Sequence, residues 1–360
     1  MLVIALLAGL VASVVASPRG ETATPPAARL TTSTTRPAVL PARTLLFGHI
    51  GSGGRVDLLV GFGWARGAKR GTALLIPANT MVEVPSLGPQ ALADVPRLAS
   101  GKLLRVVVEN ALNVRFDGVV LVNDGKLASL LAPSGQLRVD FPVATRVDDS
   151  AGTVSFPSGV HTIAAADAMR LLAGKGATQL SHLVTVGAVL DGWRQALKRP
   201  AVANATVRVD QRFLPLTIGA GAAMNDTTLP VEQLSSGGEE RFRLRTPDAF
   251  EAVRRAFPWA QISHHARPHV EVLNGVGDVG ITQSIAYRVV PAGGAITLTG
   301  NVPGFGVSTT RVLYYRKNGL AAARRFAKAL GVGRVVRATN VMDVVDVTIV
   351  VGTDFLQRSR

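Results

Sequence analysis

The chain predicts a three-layer α/β/α domain followed by a small α/β sandwich. Three observations carry this. Apolar strand-like runs alternate with helix-period segments from residue 44 onward. A connector at 259–268 interrupts that pattern. After it, 269–356 repeats the alternation on a smaller scale, with a tight Asn274-Gly275 turn after its first strand.

At 360 residues there is room for two ordinary domains, and 47% hydrophobic residues can fill their cores. The absence of cysteine excludes disulfides, thiolate metal sites and a cysteine nucleophile. A net charge of +15, carried mostly by Arg, favours anionic partners. Nucleic acid is not the expected one, because the charge is dispersed and no helix-turn-helix, zinc finger or basic-aromatic interleaving occurs.

Residues 1–16 hold an uncharged apolar run, LVIALLAGLVASVVA, short for a membrane span but suited to a signal-peptide core. Small residues Val14 and Ala16 precede Ser17 as a cleavage-type site. With residues upstream the same run would be a signal anchor. Residues 17–43 are rich in Pro, Thr, Ala and Ser without period, and read as an extended linker. The expected location is extracytoplasmic, anchored to the membrane through the N-terminal segment or secreted.

The first folded region runs 44–258. Strands are expected at 44–50 and 56–64, separated by GSGG. A third breaks at Pro77 and resumes at Met81. A helix follows at 102–112, a strand at 116–123, a short helix at 125–131 and an alternating strand at 136–142. Helices are expected at 164–172 and 179–198. The stretch 201–241 shows no clear period. Near 242–258 the residues suggest a strand, Thr246 as N-cap, Pro247 at the first helical position, then a helix. The second region gives a strand from 269, a helix at 280–290, strands at 295–299 and 309–315, a helix at 320–330, a short strand near Val335 and a final strand at 345–355.

HVEVLNGVGDVG at 269–280, TTRVLYY at 309–315 and VDVTIVVGTDF at 345–355 together resemble the LytR C-terminal domain of LytR-CpsA-Psr (LCP) envelope proteins. The first region resembles that family's catalytic domain. LLFGHIGSGGRVDLLV matches an apolar strand, a loop and an Arg-x-Asp triplet, which puts Arg55 and Asp57 at the motif positions. LLIPANTMVEVP matches a strand ending Ile-Pro-Arg-Asp-Thr, with Ile76, Pro77, Thr80 and Pro85 in place. Ala78 stands for the Arg there and Asn79 for the Asp. PSGVHTIAAADAMRLLAG resembles the Gly-rich-to-helix motif before an Arg-x-Arg, where this chain has Ala173-Gly174-Lys175. A later helix with arginines in the family reads HLVTV here, placing His182, Thr185 and Val186 at those positions.

The resemblance implies a cell-wall role. Active members move a polyprenyl-pyrophosphate-linked glycopolymer onto peptidoglycan, a phosphoryl transfer that needs cations around the spreading charge. Arginine forks suit it, and one lost donor costs roughly 10²–10³ in rate. With several arginines absent, the expectation is a non-catalytic or weakly active binding member. Its partner is a polyprenyl-phosphate lipid or an anionic wall polymer. The alternatives are an active phosphotransferase with Arg66, Arg70 or Arg105 as substitutes, and a transcriptional regulator, which an export-type N-terminus opposes.

The candidate catalytic residues are Arg55 and Asp57. Arg55 would contact phosphate or simply face solvent. Asp57 would bind Mg²⁺ beside a pyrophosphate or pair with Arg55 at the strand start. Asn79, Thr80 and Lys175 are candidate ligand-binding residues; a turn after Pro77 accounts equally for the first two, and a helix C-terminal lysine for the third. His264 and His265 lack a third ligand at metal spacing. GSGG lacks the Lys and helix of a phosphate-binding loop.

Overall fold

The computed structural model describes residues 43–64, 70–219, 223–235, 239–340 and 343–359. The expected export segment at 1–16 and the linker lie outside these, apart from Arg43. No described helix is long and apolar enough to cross a membrane.

The first sheet begins with β1 (Arg43–Ile50), β2 (Val56–Trp64) and β3 (Arg70–Leu75). After β3 the chain does not resume the same strand. Pro77 and Ala78 turn it into a separate hairpin of β4 (Met81–Val84) and β5 (Gly88–Ala91), which corrects the interrupted-strand expectation. A short α1 (Val95–Leu98) leads to α2 (Gly101–Leu112), whose Ser100 side chain accepts from Leu103 N–H as N-cap. Then come β6 (Gly118–Val122) and α3 (Asp124–Leu131), capped by Asn123.

Three strands follow β7 (Gln136–Phe141): β8 (Thr145–Asp149), β9 (Gly152–Phe156) and β10 (Gly159–Ala164). β10 returns to pair with β7, and β8 pairs with β9, giving two small antiparallel ladders; no strong apolar run announces β8, β9 or β10. α4 (Ala165–Ala173) and α5 (Gln179–Leu197) match expectation; Thr178 and Ser181 form a reciprocal capping box on α5. The stretch without clear period holds α6 (Pro200–Val209), α7 (Leu214–Gly219), β11 (Ala223–Thr228) and β12 (Val231–Ser235), and the strand expected near residue 242 is β13 (Arg241–Leu244). α8 (Asp248–Ala256) begins one residue later than expected: Pro247, not Thr246, is its N-cap residue, with no side-chain cap bond.

The five-stranded sheet runs β11-β3-β2-β1-β6. β1 is buried on both faces, as a middle layer requires. Leu45 and Phe47 face a core with α3, α4 and α5. Leu46 faces the opposite core, with α2 and α8. Successive residues thus serve opposite layers, which is the three-layer arrangement. Phe47 is fully buried and meets Phe213 edge-on at 5.6 Å between centroids. Phe47→Ala would cost about 3–5 kcal/mol.

The second sheet contains β14 (His269–Asn274), β15 (Ala295–Asn301), β16 (Arg311–Tyr314), β17 (Arg334–Arg337) and β18 (Val347–Val351), in the order β15-β14-β18-β16-β17. α9 (Ile281–Val289) and α10 (Gly319–Leu330) pack against its Val270, Val272, Val312 and Ile349 face. The Asn274 side chain accepts from Val276 N–H (3.0 Å) and Gly277 N–H (2.9 Å), so the Asn-Gly step is a structural turn. The final strand is shorter than expected. Past Gly352 the chain becomes α11 (Thr353–Ser359), with Asp354 reaching back to bond Thr310.

Candidate functional site

β1 and β3 both run antiparallel to β2, and β6 runs parallel to β1. The carboxyl ends of β1, β3 and β6 therefore gather at one sheet end with the start of β2. In open α/β sheets that end is where ligands bind. It collects His49, Arg55, Asp57, Asn79 and, at the head of α3, Asp124.

Arg55 is engaged from three sides. Its Nε lies 3.0 Å from Asp94 Oδ1, its Nη2 contacts Glu239, and Nη2 donates to Asn79 Oδ1 at 3.4 Å. Asp94 and Glu239 are shared further. Arg97 donates to Asp94 at 3.1 Å, and Arg241 reaches Glu239 at 2.8 Å and Asp94 at 3.7 Å. Three guanidinium groups and two carboxylates thus close on one another. The neighbouring carboxylate, Glu240, accepts from the Gln179 N–H at 2.6 Å. That N–H belongs to the first turn of the nineteen-residue α5, where the helix dipole favours an anion. Gln179 Oε1 in turn accepts from Asn79 N–H at 3.0 Å, joining the helix start to the post-β3 turn. Tandem glutamates therefore hold the two features a diphosphate would seek, a guanidinium fork and a helix N-terminus.

A second constellation sits beside the first. His49 is 1% exposed; its Nδ1 bonds Asp57 Oδ1 at 2.7 Å, and its Nε2 lies 2.9 Å from Asp124 Oδ1, at ion-pair distance but off the hydrogen-bond axis. Burial alone would lower the imidazole pKa. The hydrogen bond and charge of Asp57, joined by the charge of Asp124, outweigh it and hold the group above its ordinary value. Gly51 permits this approach, since a Cβ there would come 2.7 Å from Asp57 Oδ2. The resemblance implied Mg²⁺ on Asp57. The residues present do not fit that ion: both nearby carboxylates are turned onto the buried His49 ring instead, Asp57 through Nδ1 and Asp124 beside Nε2. Among the described residues no group of three or more His, Asp or Glu side chains is arranged to hold a metal.

The other predicted residues stand as follows. Thr80 is fully buried, its hydroxyl donating to Pro77 O at 2.7 Å, so it shapes the turn. Lys175 is exposed, and its backbone pairs with Asp148. His182 is buried and bonds Leu171 O at 2.8 Å; burial lowers its pKa, so it adds no cation. Arg105 turns away to Phe116 O at 3.1 Å. Arg66 lies outside the described residues. The structure adds His49, Asp94, Asp124, Gln179, Glu239 and Glu240 to the site. Of these, only His49 carried a sequence signal, a lone histidine at the end of an apolar strand.

A separate cleft of about 330 Å³ lies between α5 and the β3–β11 edge, lined by Leu75, Leu183, Gly187, Asp140, Asp191 and Asp226 among others. Asp226 lines this cleft and is exposed at its surface, so its desolvation comes from the protein atoms around it and not from loss of solvent contact. That desolvation, with Asp191 adding and Arg194 opposing, pushes its pKa up to about 6.

Residues 267–355 match the family model described as LytR cell envelope-related transcriptional attenuator. No curated protein matches the chain in sequence. Among solved structures, TagV of B. subtilis is 15% identical across 61% of this chain and 96% of that one, with a TM-score of 0.50. TagT bound to LI-WTA is 18% identical across 61% and 90%, also at 0.50; another of the matched structures describes TagT as the LytR-CPS2A-psr family protein YwtF. The chain joins an N-terminal domain with the LytR-CpsA-Psr fold to a LytR C-terminal domain.

Proposed function

We propose that this protein is an extracytoplasmic accessory member of the LCP group. In this reading it is related to the enzymes that attach glycopolymers to peptidoglycan, and it binds an anionic wall polymer or polyprenyl-phosphate lipid with little or no catalysis. One observation carries the reading: Glu239 and Glu240 occupy Arg55 and the N-terminus of α5. A diphosphate would have to displace two carboxylates from the positions that must stabilise its own charge. The surrounding acids, Asp94, Asp57 and Asp124, repel it further. The fold shared with TagT, solved with LI-WTA, supports the link to wall-polymer chemistry. The export-type N-terminal run supports the location.

The test is transfer of labelled glycopolymer from a polyprenyl-pyrophosphate carrier to peptidoglycan fragments. The native chain should remain at background. Glu239→Gln/Glu240→Gln should gain binding of the carrier, because both anion-seeking features are freed. Native turnover at the rate of an intact family enzyme would sink the reading.

A further inference from the structure

The C-terminal domain carries a concentrated charge of its own. Residues 267–360 hold twelve Arg and Lys against five Asp and Glu. Several of the cations have structural tasks. Arg288 donates to Leu330 O at the end of α10 (2.7 Å) and lies over the Phe355 ring, Arg325 donates to Ala292 O (2.6 Å), Arg316 pairs with Asp343 (2.6 Å), and Arg267 bonds Asn110.

Among those without such a task, three lie together. Arg324 and Lys328 stand one turn apart on α10, both exposed, while Ala323, Phe326 and Leu330 of the same helix are buried against the sheet. Arg337 is exposed on β17, the edge strand beside that helix. It pairs in register with Tyr314, and Val335 pairs with Val312, whose side chain is in the core under α10. Arg337 shares the parity of Val335, so it projects on the α10 side of the sheet. Among the described residues, none of the three reaches a carboxylate or any other hydrogen-bond partner. The edge also offers backbone donors. Arg334 and Ala338 donate inward to Thr310 and Tyr314, so by alternation the N–H groups of Val335 and Arg337 point outward.

We propose that the groove between α10 and the free edge of β17 is a docking surface for an anionic wall polymer with a phosphodiester backbone, gripped by Arg324, Lys328 and Arg337. The inference rests on the reading above that the chain handles such a polymer. It assigns that task to the C-terminal domain, since the site on the first sheet is filled by the protein's own glutamates. The surface is cationic without apolar projections: no large hydrophobic residue between 311 and 337 is among the exposed ones. A membrane-inserting face would present such residues. A single-strand nucleic-acid platform would present open aromatic rings, whereas Tyr315 is buried with its hydroxyl bonded to Thr348 at 2.7 Å. A flexible chain with a regular repeat of single charges needs neither. The competing account is that these cations only guard an edge strand against pairing with other chains.

The experiment measures binding of the full chain to a defined poly(glycerol phosphate) at several salt concentrations. It compares the native protein, R324Q/K328Q/R337Q, and a control, K198Q/R208Q, changed at exposed positions of the first domain. Unchanged thermal melts establish that the variants fold. The triple variant should bind roughly tenfold or more weakly, with a salt slope lower by about two, while the control matches native. Equal binding by the triple variant overturns this inference and leaves the polymer reading standing. No binding by the native chain overturns both. Equally tight binding of duplex DNA overturns the assignment to a wall polymer.

Discussion

His49 Nδ1 lies 2.7 Å from Asp57 Oδ1, and the same buried ring reaches Asp124 on its other side. This pair ties β1 to β2, and through Asp124 to the head of α3. The folded protein holds the imidazole pKa above the ordinary value of about 6.5.

A group raised on folding stabilises most when protonated in both states. The contribution of His49 is therefore full below the free imidazole range and fades as pH rises through the folded value. Thermal melts of native protein and His49→Gln across pH 5 to 9 test it. The native advantage should shrink toward the alkaline end; an advantage that grows there contradicts the assignment.

The family arginine aligned with Ala78 cannot be restored by simple replacement. Ala78 is 1% exposed, packs with the α2 and α8 core, and its carbonyl accepts from Ala93 N–H at 2.7 Å. An arginine side chain there would start from a buried position packed among apolar groups. Ala78→Arg should destabilise by roughly 3 kcal/mol or more and gain no transfer activity. A stable variant with new pyrophosphate binding would show that the turn can still open to the site.

Much of the first sheet was legible because β1 and β2 are long apolar runs, and α2 and α5 keep a helical period beside good caps. β11 was not legible. Its residues, AMNDTT, are mostly polar, and it is a strand because it lies along β3 at the sheet edge. The same logic hid the site. Arg55 and Asp57 could be aligned to a motif, but Glu239 and Glu240 arrive from far along the chain after a region without period. Asp94 sits in a short turn before α1. Sequence spacing reports neighbours along one element, and here the decisive contacts are between carboxylates and cations on different elements. In the C-terminal domain the strands and turns were readable locally, while α11 escaped because seven residues after Gly352 are too few to establish a helical period.

Asp226 supplies a second titration with the opposite outcome. Its folded pKa of about 6 exceeds the ordinary carboxylate value of about 3.9. The folded state therefore holds the proton more tightly, and stability falls as pH rises from the lower value through the higher one. Asp226→Asn removes that loss. The variant should melt higher than native at pH 7.5 and nearly equally at pH 4. Equal melting at both would mean that the cleft leaves the carboxylate well solvated.

Asn110 joins the two sheets' domains by acting as a piece of strand. Its Nδ2 donates to Ile296 O at 2.8 Å and its Oδ1 accepts from Ile296 N–H at 2.9 Å, so one side chain satisfies both polar groups of a residue on the edge of β15. Arg267 braces it, donating to Asn110 O at 2.8 Å and to its Oδ1 at 3.2 Å. Val106, one turn earlier on α2, belongs to the C-terminal core itself. Asn110→Ala would strand the Ile296 N–H and C=O beside apolar surface and leave Arg267 one acceptor short, a cost of about 2–3 kcal/mol. Because the contact lies between the domains, the loss should also separate their unfolding: hydrogen exchange at β15 should rise before that of β1 in the variant. Unchanged melting together with unchanged protection of β15 would show that Val106 and its neighbours hold the domains together without the paired carboxamide.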